Sequence, residues 1–166
     1  MDFDAKSLKL KTSGDRKQNR KLKKRMLGMS SGRLDDLIHE LHEEKMETIN
    51  CLDCANCCKT ISPAVTDRDL LRISKYLRIK PSCLVEQYLR IDEEEDYVFT
   101  KSPCPFLNDD NYCAIYPVRP KACREYPHTD RPRQRQILDL TMKNVSVCPV
   151  VYNIVEEVKR KSALIK

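Results

Sequence analysis

A chain of 166 residues has room for one folded domain and an extension. Its nine cysteines, absent tryptophan and 31 Lys+Arg against 25 Asp+Glu describe neither a membrane protein nor an aromatic-rich core. No segment approaches the run of about 18 apolar residues that a spanning helix needs, and the opening M-D-F-D-A-K-S-L-K-L has no apolar stretch of signal-peptide length, so no membrane association and a cytoplasmic, reducing setting are expected.

The positive charge is concentrated at one end. Residues 1–33 hold 11 Lys+Arg against 3 Asp+Glu, whereas the remainder holds 20 against 22. With so few apolar residues to offset its ordering entropy, this basic arm is expected to be disordered or only transiently helical. It suits contact with nucleic acid or an acidic partner through counterion release, but no aromatic residue after Phe3 is there to stack on bases, and a solvated tail is the preferred reading.

Over residues 34–47, Leu34, Leu37, Ile38 and Leu41 fall on one face and Asp35, Asp36, Glu40, Glu43 and Glu44 on the other, the pattern of an amphipathic helix. Its His39 and His42 belong to the polar face and are left out of any metal set. Residues 48–162 form the expected folded domain. Thr66-Asp67-Arg68-Asp69 has the form of a capping box before a helix with Leu70, Leu71, Ser74 and Leu77 on one face. Pro81 opens a second helix carrying Leu84, Val85, Tyr88 and Leu89. After the acidic run Asp92 to Asp96, Tyr97 to Thr100 reads as a strand, Asn108-Asp109-Asp110-Asn111 as a turn, and Tyr112 to Tyr116 as the partner strand. Prolines at 117, 120 and 127 confine any helix around Cys123 to a turn or two. A last helix begins at Pro149, with Val150, Val151, Ile154, Val155 and Val158 as its stripe, and places Cys148 at its positive end, where a thiolate is favoured. The fold class is therefore α+β: a small, mainly helical, metal-stabilised domain with a short β-hairpin and a basic arm.

Cys51, Cys54, Cys57 and Cys58 lie within eight residues as C-L-D-C-A-N-C-C, and Cys104, Cys113, Cys123 and Cys148 follow. Dense thiolates repel one another and oxidise unless a metal holds them. A disulfide framework fits poorly with an odd count, an adjacent pair and a reducing compartment. Two residues between cysteines is the spacing at which a tight turn directs both sulfurs at one ion. Bacterial ferredoxins share C-x2-C-x2-C but continue x3-C-P, whereas Cys58 follows Cys57 at once. Cys83 lies outside the clusters and reads as a small core residue. The remaining eight thiolates can fill two zinc sites or hold an iron–sulfur cluster with four left over, and the sequence leaves both open. Either needs nearby positive charge, for which Arg119, Lys121 and Arg124 are the candidates.

C-x2-C-x2-C-C, Cys104-Pro105-Phe106-Leu107 and the stretch from Cys113 through Arg119-Pro120-Lys121-Ala122-Cys123 to Pro127 resemble, in order, the motifs of the CxxCxxCC (YkgJ-like) cysteine-cluster family. The resemblance covers roughly residues 50–155. It implies a zinc- or iron-chelating domain whose ligands correspond to Cys51, Cys54, Cys57, Cys58, Cys104, Cys113, Cys123 and Cys148. Flagellin lysine methylases share the cysteine pattern, so an iron–sulfur enzyme is the alternative reading. Tyr116, Tyr126 and His128 are the suggestive acid or base side chains there, but tyrosines beside prolines and loop histidines commonly pack or stay solvated, and no catalytic residue is assigned. Nucleic-acid binding through the arm and Arg131-Pro132-Arg133-Gln134-Arg135 is a third class, without a base-reading motif.

Overall fold

The computed structural model describes residues 5–164. They are mostly helical, with a two-stranded antiparallel sheet, in keeping with the α+β class. The chain divides into two compact units, one formed by Met1–Cys54 with Pro127–Lys166 and the other by Ala55–Tyr126.

In the first unit, helices α1 (Ala5–Ser13), α2 (Arg16–Leu27), α3 (Ser31–Met46) and the single turn α4 (Cys51–Cys54) are joined by α9 (Leu138–Asn144) and α10 (Pro149–Leu164). Helix α3 buries Leu34, Ile38 and Leu41, α10 buries its valine and isoleucine stripe, and the two helices pack against each other. The polar face of α3 is not simply solvated. His42 Nδ1 lies 2.7 Å from Thr129 Oγ1 and His39 Nε2 2.8 Å from the Arg131 carbonyl. The Asp35 carboxylate accepts from the backbone N–H groups of Arg133 and Gln134, each at 2.8 Å. Buried Gln134 donates in turn to the carbonyls of His128 and Arg131.

The basic segment differs from the disordered arm its composition suggests. Helices α1 and α2 bury Leu8, Thr12, Leu22 and Met26. Leu22 and Met26, four apart, share a face of α2, and α2 packs against α9, where Lys23 pairs with Asp139. The Arg135 guanidinium donates to the Leu27 carbonyl at the end of α2. A few apolar side chains at helical spacing suffice because the unit offers them an existing apolar surface, a tertiary effect that composition alone does not reveal.

The second unit contains α5 (Asn56–Thr60), α6 (Asp67–Leu77), α7 (Pro81–Tyr88), β1 (Leu89–Ile91), β2 (Tyr97–Phe99), a 3-10 turn at Tyr116–Val118 and α8 (Lys121–Glu125). Its core joins Val65, Leu70, Ile73, Leu84, Leu89, Phe99, Phe106 and Ile115. Phe106 stands edge-on to Phe99 at 5.5 Å and 4.9 Å from Tyr88. Helix α6 buries Leu70 and Ser74 of the expected stripe together with Ile73, whereas Leu71 is exposed.

The hairpin forms with a different partner from the one expected. Strand β2 pairs with β1, in the register Leu89↔Phe99 and Ile91↔Tyr97, rather than with residues 112–116. The acidic run is the reason, because it makes the tighter turn: Asp92 Oδ1 accepts from both Glu94 and Asp96 N–H at 3.0 Å, and Glu95 takes the left-handed conformation. Leu89 consequently leaves the α7 stripe to begin the strand. The Asn108–Asn111 turn does form, with Asn111 left-handed, and closes a single bridge between Leu107 and Cys113.

The capping box at Thr66 reaches beyond its own helix. Asp69, almost wholly buried, accepts from Thr66 N–H at 3.1 Å and Thr66 Oγ1 at 2.7 Å, from Arg72 at 2.6 Å, and from the backbone N–H of Lys121 at 3.1 Å, the first residue of α8. Arg72 also donates to the Arg119 carbonyl at 2.9 Å. One carboxylate thus ties the start of α6 to the segment that carries Cys123. Burial works to raise the Asp69 pKa, but the donors from Thr66, Arg72 and Lys121 together outweigh it and hold the group below its ordinary value.

Two outcomes follow for stability. Met26→Ala is expected to cost about 3 kcal/mol, as for a core residue, when measured by denaturant unfolding; a loss near zero would return the basic segment to a solvated arm. Asp69→Ala is expected to cost about 3 kcal/mol, because it strands buried donors. Since the folded pKa is depressed, this contribution is complete above the ordinary value of about 3.9 and is lost as pH falls through the lower folded value, so the variant should show a shallower acid limb than the parent.

Candidate metal centre

Asn50 Oδ1 accepts from Leu52 N–H at 3.0 Å and starts the turn α4, which carries Cys51, exposed, and Cys54, half-buried. Ala55 then adopts a left-handed conformation at φ 47°, an unusual state for a residue with a Cβ, and the chain restarts as α5 with Cys57 and Cys58. The eight-residue motif is therefore two short helical turns joined at Ala55.

In the second unit, Cys58 meets the later cysteines. The Cys104 N–H donates to the Cys58 carbonyl at 2.8 Å, joining the loop after β2 to α5. Phe106, anchored in the core, fixes the same loop, and its carbonyl accepts from Ala114 N–H at 2.8 Å, holding Cys113 beside it. Cys123 is delivered by α8, whose first turn Asp69 secures. Cys104, Cys113 and Cys123 each lie within the electrostatic field of Cys58. Burial first, and then the charges of Cys58, Cys104 and Cys113, together push Cys123 up to about 12 against an opposing pull from Arg119. Cys104 rises to about 11 through burial and then the charges of Cys58 and Cys113. Cys113 is raised by burial and Cys58, against an opposing pull from Arg119.

Cys58 moves the other way, down to about 7, chiefly through its contact with Cys57 and, against the opposing effect of burial, through Lys59. The two sulfurs are 4.0 Å apart. That is close to the roughly 3.8 Å edge of a tetrahedron built on zinc–sulfur bonds of about 2.3 Å.

The first unit gathers a further set. Cys148 is buried immediately before α10, and its thiol feels Cys51 and Cys54. The start of α10 does favour its thiolate, as expected, but burial outweighs that effect. Burial raises the group to about 12, and the N–H groups of Val151 and Val150 offset only part of that rise.

Cys83, half-buried on α7, has no part in either set. Among the described residues, no three His, Cys, Asp or Glu side chains are already drawn into a coordination set. The donor chemistry nevertheless fits a cation. Neighbouring thiols that raise one another's pKa are groups whose charge a metal would stabilise.

Of the expected cationic neighbours, Arg119 fills the role. Its guanidinium lies 3.9 Å over the Tyr116 ring, donates to the Tyr116 carbonyl at 2.9 Å, and favours the thiolates of Cys113 and Cys123. Lys121 instead pairs with Glu125, and Arg124 is exposed. Two contributors escaped the sequence reading. Lys59 was signalled only by its place after the cysteine pair, and Asp69 was recognised as a cap but not as the anchor of α8.

No helix among the described residues is long and apolar enough to cross a membrane. The chain is 32% identical over 94 residues to an uncharacterized protein of Methanocaldococcus jannaschii, a match covering 53% of this chain and 49% of the relative. The chain thus spans about half the length of that curated relative. No solved structure matches it. The family model that matches residues 50–149 takes in every cysteine of both sets, from Cys51 to Cys148, and is described as "Putative zinc- or iron-chelating domain"; the chain belongs to the CxxCxxCC family.

Proposed function

We propose that the chain holds zinc or iron through its clustered cysteines, with Cys58, Cys104, Cys113 and Cys123 of the second unit as the principal donor set and Cys57 beside it. The observation that carries this reading is that Cys104, Cys113 and Cys123, from three separate segments, each feel Cys58, and that Cys123 feels Cys104 and Cys113 as well. Cys51, Cys54 and Cys148 of the first unit are proposed as a further set of donors.

A bound cation supplies the charge that lets neighbouring thiolates remain ionised together and ties α5, the Cys104 loop, the Cys113 turn and α8 into one cross-linked body. Arg119 and Lys59 reduce the net negative charge that four thiolates leave on a divalent ion. Thiolates without histidine equally suit an iron–sulfur cluster, which stays the alternative within the same site.

Protein purified anaerobically is expected to carry zinc or iron, and Cys123→Ser should lose most of it and melt at lower temperature, while Cys83→Ser should keep both. Undiminished metal in Cys123→Ser would remove that residue from the site. A colourless zinc protein supports simple chelation, whereas inorganic sulfide with a broad band near about 400 nm supports a cluster.

Loading zinc into metal-free protein near neutral pH should release at least about three protons per ion, because Cys104, Cys113 and Cys123 are protonated before loading. Lower pH favours the protonated thiols, so apparent affinity should fall about a thousandfold for each unit of acidification, as read by competition titration.

A further inference from the structure

Helix α2 carries Arg16, Lys17, Arg20, Lys21, Lys23, Lys24 and Arg25 with no acidic residue in its 12 positions. All of these except Lys23 are exposed. Arg16 and Arg20, Lys17 and Lys21, Arg20 and Lys24, and Lys21 and Arg25 are like charges four residues apart, an arrangement that destabilises a helix. Among the described residues only Lys23 of this helix has an ion-pair partner, Asp139. The fold nevertheless maintains α2 as a helix by burying Leu22 and Met26 beneath it. The Arg135 side chain, bonded to the Leu27 and Met29 carbonyls, brings the exposed arginines of the 131–135 loop to the end of α2 and lengthens the basic surface.

We propose that the outer face of α2 is a docking surface for the phosphate backbone of double-stranded nucleic acid, bound without sequence reading. A polyanion removes the repulsion along the helix and releases its own counterions. A helix of this length presents its charges along about 18 Å, enough to meet several phosphates of a duplex. The face has no aromatic side chain on which an unpaired base could stack, which favours duplex over single strand. An anionic membrane fits less well, because the apolar residues of α2 that would enter a bilayer are committed to the protein's own core.

Titration of full-length protein against a fluorescent mixed-sequence duplex, the matching single strand and phosphatidylserine vesicles tests this directly. Tightest binding to the duplex is expected, weakening steeply with salt. The triple variant Arg20→Gln, Lys21→Gln, Lys24→Gln should bind at least tenfold more weakly at low salt and reduce the slope of log affinity against log salt by about 2.7, the share of three phosphate contacts. It should melt no lower than the parent, since it removes like-charge repulsion from a solvated face. A control variant, Lys75→Gln with Lys80→Gln on the second unit, should bind as the parent does. Equal binding by the triple variant, equal losses in the control, tighter binding to the single strand, or binding to vesicles in place of duplex would each overturn the assignment.

Discussion

The second unit is organised around a conflict between burial and charge. Sulfurs from the loop after β2, the Asn108–Asn111 turn and α8 are brought into the field of Cys58 on α5 beside a small aliphatic and aromatic core. Burial and repulsion both oppose ionisation, and among the described residues Arg119 and Lys59 supply opposing charge. Without further positive charge, most of the set rests as thiols, with Cys58 the group closest to ionising at neutral pH. The supporting structure is correspondingly polar and specific. Asp69 secures α8 through a backbone N–H, and Phe106 secures the neighbouring loop through apolar packing.

The legible parts of the sequence were those whose physics is local. The capping box at Thr66 and Asp69, proline at the start of α7 and the Asn108–Asn111 turn each depend on a few adjacent residues, and each appears where the pattern places it. The cysteine motifs are legible for a different reason. Thiolate spacing is constrained by the size of an ion, so several separated motifs in order are informative even when the intervening fold is not.

What escaped depends on partners distant in sequence. Residues 112–116 have strand-like composition, yet β2 is captured by β1 because the run from Asp92 to Asp96 closes a shorter loop. The basic segment has too few apolar residues to fold alone, and only the surface offered by the rest of its unit makes Leu8, Leu22 and Met26 sufficient. Cys148 shows the same limit at a single atom. The favourable end of a helix is evident from Pro149, whereas the burial that overrides it is a property of the assembled core. His39 and His42, apparently on a solvated face, are engaged by a loop more than 80 positions away.

The discontinuity of the first unit bears on how the chain is made. Ala55–Tyr126 is an uninterrupted stretch, so every segment of the second unit leaves the ribosome before α10 does. Helix α3 by contrast emerges early, whereas α10, which packs against it, emerges last. The long loop that this pairing closes makes it a late event in folding. The second unit thus gathers its thiols from one uninterrupted stretch, whereas the cover on Leu34, Ile38 and Leu41 awaits a helix from the opposite end of the chain.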